Sequence, residues 1–372
     1  MQRTGKSQKT KLLNKMLDIF IKAGWKKIKI WTIAVLIFTN TSVSGGESVV
    51  VLFVIDGLQR DAAEVAAANG ASNLRFLIEN GVYVKEAYCT SPAPRMFLPD
   101  GSLPWGTSSS PNVAMHTGTH VFESRQMDDI FLSARRAKIK SVFAGGAVNY
   151  EEFTTPDFCY AGSLSDSMVV QHGINHLKKD GVRLIRLHLQ RIRDRWTGPE
   201  DKLDPASEYQ KAVIKCDHLL GKLIEALRSE NVWKESYIIV AGDHGMGITS
   251  QSDHPPSVYS SWLTFMNFYG PGIRKGENIP YAESPDLAIM VNYLLRLEPL
   301  KGHIDPSVPE ATGGVTGTLL TNIFEDKSRM LKHPQMIRRY LESRNLKPSD
   351  DFAEYRLSML SCIRELQKEK SE

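Results

Sequence analysis

Val49-Val-Val-Leu-Phe-Val-Ile55 runs straight into Asp56-Gly57. Far downstream, Tyr237-Ile-Ile-Val-Ala241 runs through Gly242 into Asp243-His244-Gly245-Met246. Apolar, β-branched runs of this length read as strands buried on both faces, as in a parallel sheet covered by helices. In such sheets ligands bind beyond the carboxyl ends of the strands. The two runs therefore place two carboxylates and an imidazole at the working edge. Asp and His there are donors suited to zinc, manganese or another divalent ion. An aspartate ending a strand can simply cap the next helix, but capping has no use for the imidazole that follows Asp243.

Outward from these runs, apolar periodicity predicts helices at 61–68, 72–79, 128–137, 164–179 and 206–229. They alternate with strands at 82–87, 139–144, 182–189 and 262–269. Such β/α alternation predicts an α/β fold: a doubly wound, mostly parallel sheet with helices on both faces and right-handed crossovers. Val213, Cys216, Leu220, Leu223 and Leu227 form one helical stripe, which makes Cys216 a core residue. The stretch 91–110 is a loop rich in Pro, Gly and Ser. The tail from Ile323 is charged and helical, without sheet signals.

The first 44 residues read as an export signal. They carry nine Lys/Arg and a single acid, Asp18. The short apolar stretch Ile30–Phe38 and small polar residues follow. A basic region, a short apolar core and a small-residue zone make a secretory signal. The apolar core is shorter than the roughly 20 residues a bilayer span needs. An uncleaved N-terminal membrane tether is the alternative. Without this leader the chain's 46 bases and 42 acids fall to 37 and 41, about −4 in place of +4. The basic balance belongs to the leader and gives no indication of nucleic-acid binding. The expected organisation is thus a signal over 1–44, a catalytic domain over 45–325 and a charged extension over 326–372. The four cysteines show no C-x-x-C spacing, so neither a zinc ribbon nor a redox motif is expected.

Thr107-Ser-Ser-Ser110-Pro111-Asn112 leads into Val113-Ala-Met-His-Thr-Gly118. A serine hydroxyl at a helix start lies in the positive end of the helix dipole, where an alkoxide or a transferred phosphoryl group is stabilised. The same string also fits an ordinary N-cap.

Together these pieces resemble the alkaline phosphatase superfamily, most nearly its nucleotide pyrophosphatase/phosphodiesterase branch. The resemblance rests on Val54-Ile-Asp-Gly-Leu58, Ser109-Ser-Pro-Asn112 with Thr117-Gly118, and Asp243-His-Gly-Met246. It extends to His254, 16 residues before Gly270-Pro-Gly-Ile273, and to Leu74–Tyr83. It implies a divalent metal, zinc by preference, bound by Asp56, Asp243, His244 and the nucleophile Ser109, with His254 as a further ligand. Ser108 is the alternative nucleophile, because the spacing to Thr117-Gly118 is one residue short. Asn112 would steady the phosphoryl oxygens.

The chain departs from the family at its second metal site. Where an Asp and a His normally precede a Gly-Pro pair, Arg191 and Arg195 precede Gly198-Pro199. Arginine has no lone pair for a cation. Either one metal works with Arg191 and Arg195 beside it as catalytic cations, or His188, Asp194 and Asp253 rebuild the site. Cys89-Thr-Ser-Pro-Ala-Pro-Arg95 does not match the sulfatase Cys motif, and His116 and His120 read as packing or loop residues. The expected function is an exported, metal-dependent hydrolase of small-molecule phosphoric esters, periplasmic or secreted, favouring diesters or pyrophosphates. The alternatives are a sulfate or phosphonate ester hydrolase, a phosphoalcohol transferase, or a decayed binding protein.

Overall fold

The computed structural model describes residues 48–90, 109–119, 127–147, 155–247, 254, 259–302, 315 and 317–326. The chain divides into Met1–Gly45 and Gly46–Glu372, and every described residue belongs to the second unit. The expected signal, all but one residue of the expected C-terminal extension, Ser108, His120 and Asp253 lie outside the described residues.

The strands are β1 (Val49–Ile55), β2 (Val82–Tyr88), β3 (Ser141–Gly145), β4 (Phe158–Ala161), β5 (Leu184–Leu189), β6 (Ser236–Gly242), β7 (Leu263–Thr264), β8 (Met266–Tyr269) and β9 (Glu277–Glu283). The helices are α1 (Arg60–Ala68), α2 (Ser72–Asn80), α3 (Ser109–Thr117), α4 (Ile130–Arg136), α5 (Asp166–Asp180), α6 (Glu208–Ser229), α7 (Tyr259–Trp262) and α8 (Ser284–Leu294). Among the described residues they form an α/β fold around one nine-stranded sheet, ordered β4-β3-β5-β1-β6-β8-β2-β7, with β9 also on β2. The block β4-β3-β5-β1-β6 is parallel throughout. Beyond β6 the sheet is mixed: β8 runs antiparallel to both β6 and β2, and β9 runs parallel to β2.

Side-chain alternation along β1 divides the core. Val49, Val51, Phe53 and Ile55 pack with α1, α2, α5 and α6 on one face. Val50, Leu52 and Val54 pack with α3, α4 and α8 on the other. Because successive strand side chains point to opposite faces, Asp56 continues the row of Val54 toward α3. On β5, Ile185, Leu187 and Leu189 join the first core and Leu184 the second. Arg186 and His188 therefore also face α3.

Most predicted elements are present within a residue or two. The single strand expected over 262–269 is instead two segments, β7 and β8, each antiparallel to β2, with Phe265 buried between them. Four elements carried too little pattern to be read, the four-residue α7 among them. β4 is four residues long and only half-buried. β9 contains Pro280, which argues against a strand. α8 announces itself only through Pro285 and Asp286 in its first turn.

Helix α2 begins without a cap of its own, since Ala71 offers no side-chain acceptor. Asp217 of α6, fully buried, takes that role. Its carboxylate accepts from the backbone N–H of Leu74 at 2.6 Å, the N–H of Asn73 at 3.3 Å and Asn73 Nδ2 at 3.0 Å. An anion at a helix N-terminus satisfies orphan donors and meets the positive dipole end. Asp217→Ala should therefore cost about 2–3 kcal/mol, from a lost cap and two stranded N–H groups. Urea unfolding should show a lower midpoint at unchanged slope; an unmoved midpoint would contradict this role.

Candidate active site

The β1–β6 register pairs Ile55 with Gly242, so the next residues, Asp56 and Asp243, emerge side by side at the carboxyl edge of the sheet. Both are fully buried. The backbone then turns sharply on glycines. Gly57 has φ +75°, and a Cβ there would lie 2.6 Å from Met246 Sδ. A Cβ on Gly245 would lie 1.9 Å from the Ser260 carbonyl oxygen. The glycines of Asp-Gly and Asp-His-Gly are thus steric requirements of bringing the two carboxylates together.

Asp243 Oδ1 accepts from the N–H groups of Gly57 and His244, each at 3.0 Å. Its Oδ2 accepts from Asn112 Nδ2 at 3.3 Å. Among the described residues, neither oxygen of Asp56 accepts a hydrogen bond, although both are buried. Two imidazoles approach this pair. His188 Nε2 lies 3.7 Å from Asp56 Oδ2 and 3.5 Å from Asp243 Oδ2. His244 Nε2 lies 3.4 Å from Asp56 Oδ1 and 3.7 Å from Asp243 Oδ2. Burial, reinforced by the neighbouring Arg186, holds the His188 pKa well below the usual histidine range, so its ring is neutral.

The His244 tautomer follows from its other nitrogen. Nδ1 sits 2.7 Å from the Gly245 carbonyl, which can only accept, so Nδ1 donates. In the neutral ring Nε2 then presents a lone pair toward two carboxylate oxygens. Three electron-rich groups facing one another in a buried space is unfavourable unless a cation lies among them. A His donating its second nitrogen to a backbone carbonyl is also the usual arrangement of a metal ligand. Asp56, His188 and Asp243 bring one donor atom each within 4.8 Å of one another. The donor set fits a divalent ion.

Asn112 lies in the first turn of α3, the helix that Ser109 opens. Its Oδ1 accepts from Arg186 Nη2 at 2.5 Å. Arg186 is fully buried, with its guanidinium over the Phe143 ring at 5.2 Å from the centroid. A guanidinium has donors only. Arg186 therefore fixes the amide so that its NH₂ side faces Asp243. Arg186 carries no sequence motif. Its signal is the alternation Arg186-Leu-His188-Leu, polar on one face of a strand that is apolar on the other.

The sequence-predicted residues fall into two groups. Asp56, Asp243, His244 and Asn112 come together at one place, with the first residue of α3, Ser109, one helical turn from Asn112. His254 lies against His244, ring centroids 3.8 Å apart. Arg191 and Arg195 are not brought into the cluster. Both are exposed, and Arg191 pairs with Asp194 at 3.7 Å. It is Arg193 that reaches inward, with Nη1 3.6 Å from Asp56 Oδ2. The 3-10 turn Arg193–Arg195 puts its first residue toward the site and its last toward solvent. His116 is buried edge-on against Phe131 and Phe143, a packing role as expected. Cys216 is likewise in the core, where burial pushes its thiol pKa up.

Residues 172–286 match the model of the type I phosphodiesterase / nucleotide pyrophosphatase family, a stretch that holds β5, Arg193 and Asp243-His244. Among curated proteins none matches this sequence. Solved structures share the fold. Murine ectonucleotide pyrophosphatase/phosphodiesterase 5 is 16% identical with a TM-score of 0.50, covering 68% of this chain and 95% of its own. The phosphonate monoester hydrolase of Agrobacterium radiobacter is 13% identical with a TM-score of 0.53, covering 75% and 77%. A Bacteroides thetaiotaomicron protein of a glycosaminoglycan-metabolism locus is 14% identical with a TM-score of 0.52, covering 77% and 78%. Fold and matched stretch are together similar to one class, the phosphoric ester hydrolases of alkaline phosphatase-like fold. Within that class the matched stretch resembles the type I phosphodiesterases and nucleotide pyrophosphatases.

A cation that neutralises the buried pair also stabilises the folded chain. At a free metal concentration of about 100 Kd the gain is about 2.7 kcal/mol, or roughly 5 °C in Tm for a domain of this size. Chelation should lower the wild-type Tm by about that much, and Asp243→Ala should show no chelator-dependent shift. A wild-type Tm indifferent to chelator and to added zinc would remove the metal centre.

Proposed function

We propose that this chain is an exported, metal-dependent hydrolase of phosphoric esters that works through Ser109 and prefers diesters or pyrophosphates to monoesters. The observation that carries this reading is the buried Asp56–Asp243 pair. Asp56 accepts no hydrogen bond among the described residues, and His244, which donates through Nδ1 to the Gly245 carbonyl, turns Nε2 toward it. A divalent ion held by Asp56, Asp243, His244 and His188, zinc being well matched to two carboxylates and two imidazoles, would supply Lewis-acid charge that makes a nearby hydroxyl more acidic and offsets charge on a phosphoryl oxygen. His254 would brace His244 through its ring.

The chain's own groups supply the rest. Ser109 opens a nine-residue helix, whose N-terminal dipole favours negative charge at that end. Its oxygen would bond to phosphorus in line as the bond to the leaving oxygen breaks. The serine proton passes to solvent, and the leaving group takes one up. Water then opens the phosphoserine and restores the hydroxyl. Asn112, its amide fixed by Arg186, directs its NH₂ toward the same space and would steady an equatorial oxygen. The described residues hold one cluster of metal donors, not two. Two ions clamp both oxygens of a dianionic monoester. One ion suits a singly charged group better, as in a diester.

The leader over 1–44 would direct the chain out of the cytoplasm, and the catalytic domain would run over 45–325. Among the described residues no helix is long and apolar enough to cross a membrane.

The metal-loaded protein should cleave bis-p-nitrophenyl phosphate faster than p-nitrophenyl phosphate. Ser109→Ala should lose turnover by roughly 10³-fold or more. Mass spectrometry of wild type quenched during turnover should find the added group on the peptide holding Ser109. Wild-type activity in the alanine variant would exclude covalent catalysis there. Product carrying an added alcohol instead of water would favour the transferase reading. Metal without cleavage of any ester would favour a binding protein.

A further inference from the structure

Three arginines follow β5 at alternate positions, and only the middle one turns inward. Arg193 Nη1 lies 3.6 Å from Asp56 Oδ2, with the side chain 24% exposed. It spans from the buried carboxylate to solvent. Its neighbours do not: Arg191 is 60% exposed, and Arg195 is exposed as well.

The approach is built into the backbone. Upstream, the Asp166 carboxylate accepts from the N–H groups of Gln190 at 2.9 Å and Arg191 at 3.3 Å, tying the end of β5 to the start of α5. Ile192 and Trp196 are buried on either side of the turn. The Trp196 ring packs edge-on against Tyr209, 5.2 Å between centroids. The Tyr209 hydroxyl in turn donates to the Gly57 carbonyl at 2.8 Å. The turn that carries Arg193 is therefore braced against the residue that follows Asp56. The Arg193 Cβ would lie 3.9 Å from a Cβ on Gly57, so the two backbones run alongside each other. A long cationic side chain held at both flanks does not reach a buried carboxylate by chance.

We propose that Arg193 is the anion-binding arm of this site, donating to non-bridging oxygens of a singly charged tetrahedral ester. The inference rests on the hydrolase reading above for its substrate, and it replaces Arg191 and Arg195 as the cation beside the metal. A divalent ion held by the Asp56–Asp243 pair would answer those two negative charges and leave the guanidinium to a ligand's oxygens. Its planar fork of donors matches two oxygens of a phosphoryl or sulfuryl group, which an ammonium cannot do. Arg186 does not compete for this role. It is fully buried and holds Asn112, whereas Arg193 borders solvent. Phosphodiesters, phosphonate monoesters and sulfate monoesters share this chemistry, and the assay arms below separate them.

The test uses the full chain loaded with zinc. Inorganic phosphate binding is titrated calorimetrically for wild type, Arg193→Ala, Arg193→Lys, Arg191→Ala and Arg195→Ala, with zinc content measured on each. KM is measured for bis-p-nitrophenyl phosphate, p-nitrophenyl phenylphosphonate and p-nitrophenyl sulfate. Arg193→Ala should weaken phosphate binding at least tenfold and raise KM for the preferred ester by a similar factor, at unchanged zinc content. Arg193→Lys should fall between, keeping charge but not the fork. Arg191→Ala and Arg195→Ala should stay within twofold of wild type. Unchanged phosphate binding in Arg193→Ala, or zinc lost in step with binding, would overturn the proposal. If wild type cleaves no ester, the hydrolase reading fails, and the phosphate titration still decides whether Arg193 binds anions. If Arg193→Ala does not fold, Arg193→Lys decides.

Discussion

Two carboxylates that should repel one another lie side by side in the interior, and the surrounding structure is organised by that conflict. Asp56 and Asp243 end neighbouring central strands whose register leaves them no other place. Charges removed from water interact strongly because the interior screens them poorly. The chain answers Asp243 with two backbone N–H groups and Asn112, and leaves Asp56 without a hydrogen bond among the described residues. Arg193 approaches one oxygen and the imidazole of His244 the other. A divalent ion resolves the conflict more completely than any of these groups, because it alone can accept from both carboxylates and from the His244 lone pair together.

Around that pair, donor-only and acceptor-only groups set the orientation of everything else. Arg186 can only donate, so Asn112 must present its oxygen to it and its NH₂ to Asp243. The Gly245 carbonyl can only accept, so His244 donates through Nδ1 and turns Nε2 inward. The Tyr209 hydroxyl holds the Gly57 carbonyl. The site is thereby oriented before any ligand arrives, which is the condition for electrostatic stabilisation without reorganisation.

The sequence disclosed the parts of this arrangement that depend on strand identity. A fully buried strand is a continuous apolar run, so β1 and β6 and their terminal aspartates stood out, and the stripe through Cys216 marked the core face of α6. Half-exposed β4 and proline-bearing β9 lacked that signal. His188 was legible only as one of several candidates for a second metal site, because a lone histidine within an apolar strand does not say which face is lined with polar groups. The choice among Arg191, Arg193 and Arg195 was not legible either. It depends on the phase of one 3-10 turn, set by the Asp166 carboxylate and by the packing of Trp196 on Tyr209, and neither Asp166 nor Tyr209 adjoins the arginines in the chain. Likewise, Asp217 caps α2 from 143 residues away, a contact that no local pattern announces.

The central claim is that the buried pair exists to hold one cation. The most direct measurement is an anomalous-difference map from crystals grown with zinc, collected on both sides of the zinc absorption edge. A single strong peak bounded by Asp56, Asp243, His244 and His188, with Arg193 withdrawn from Asp56, is the predicted result. No peak between the carboxylates, with the Arg193 guanidinium still on Asp56 in zinc-saturated crystals, would contradict it.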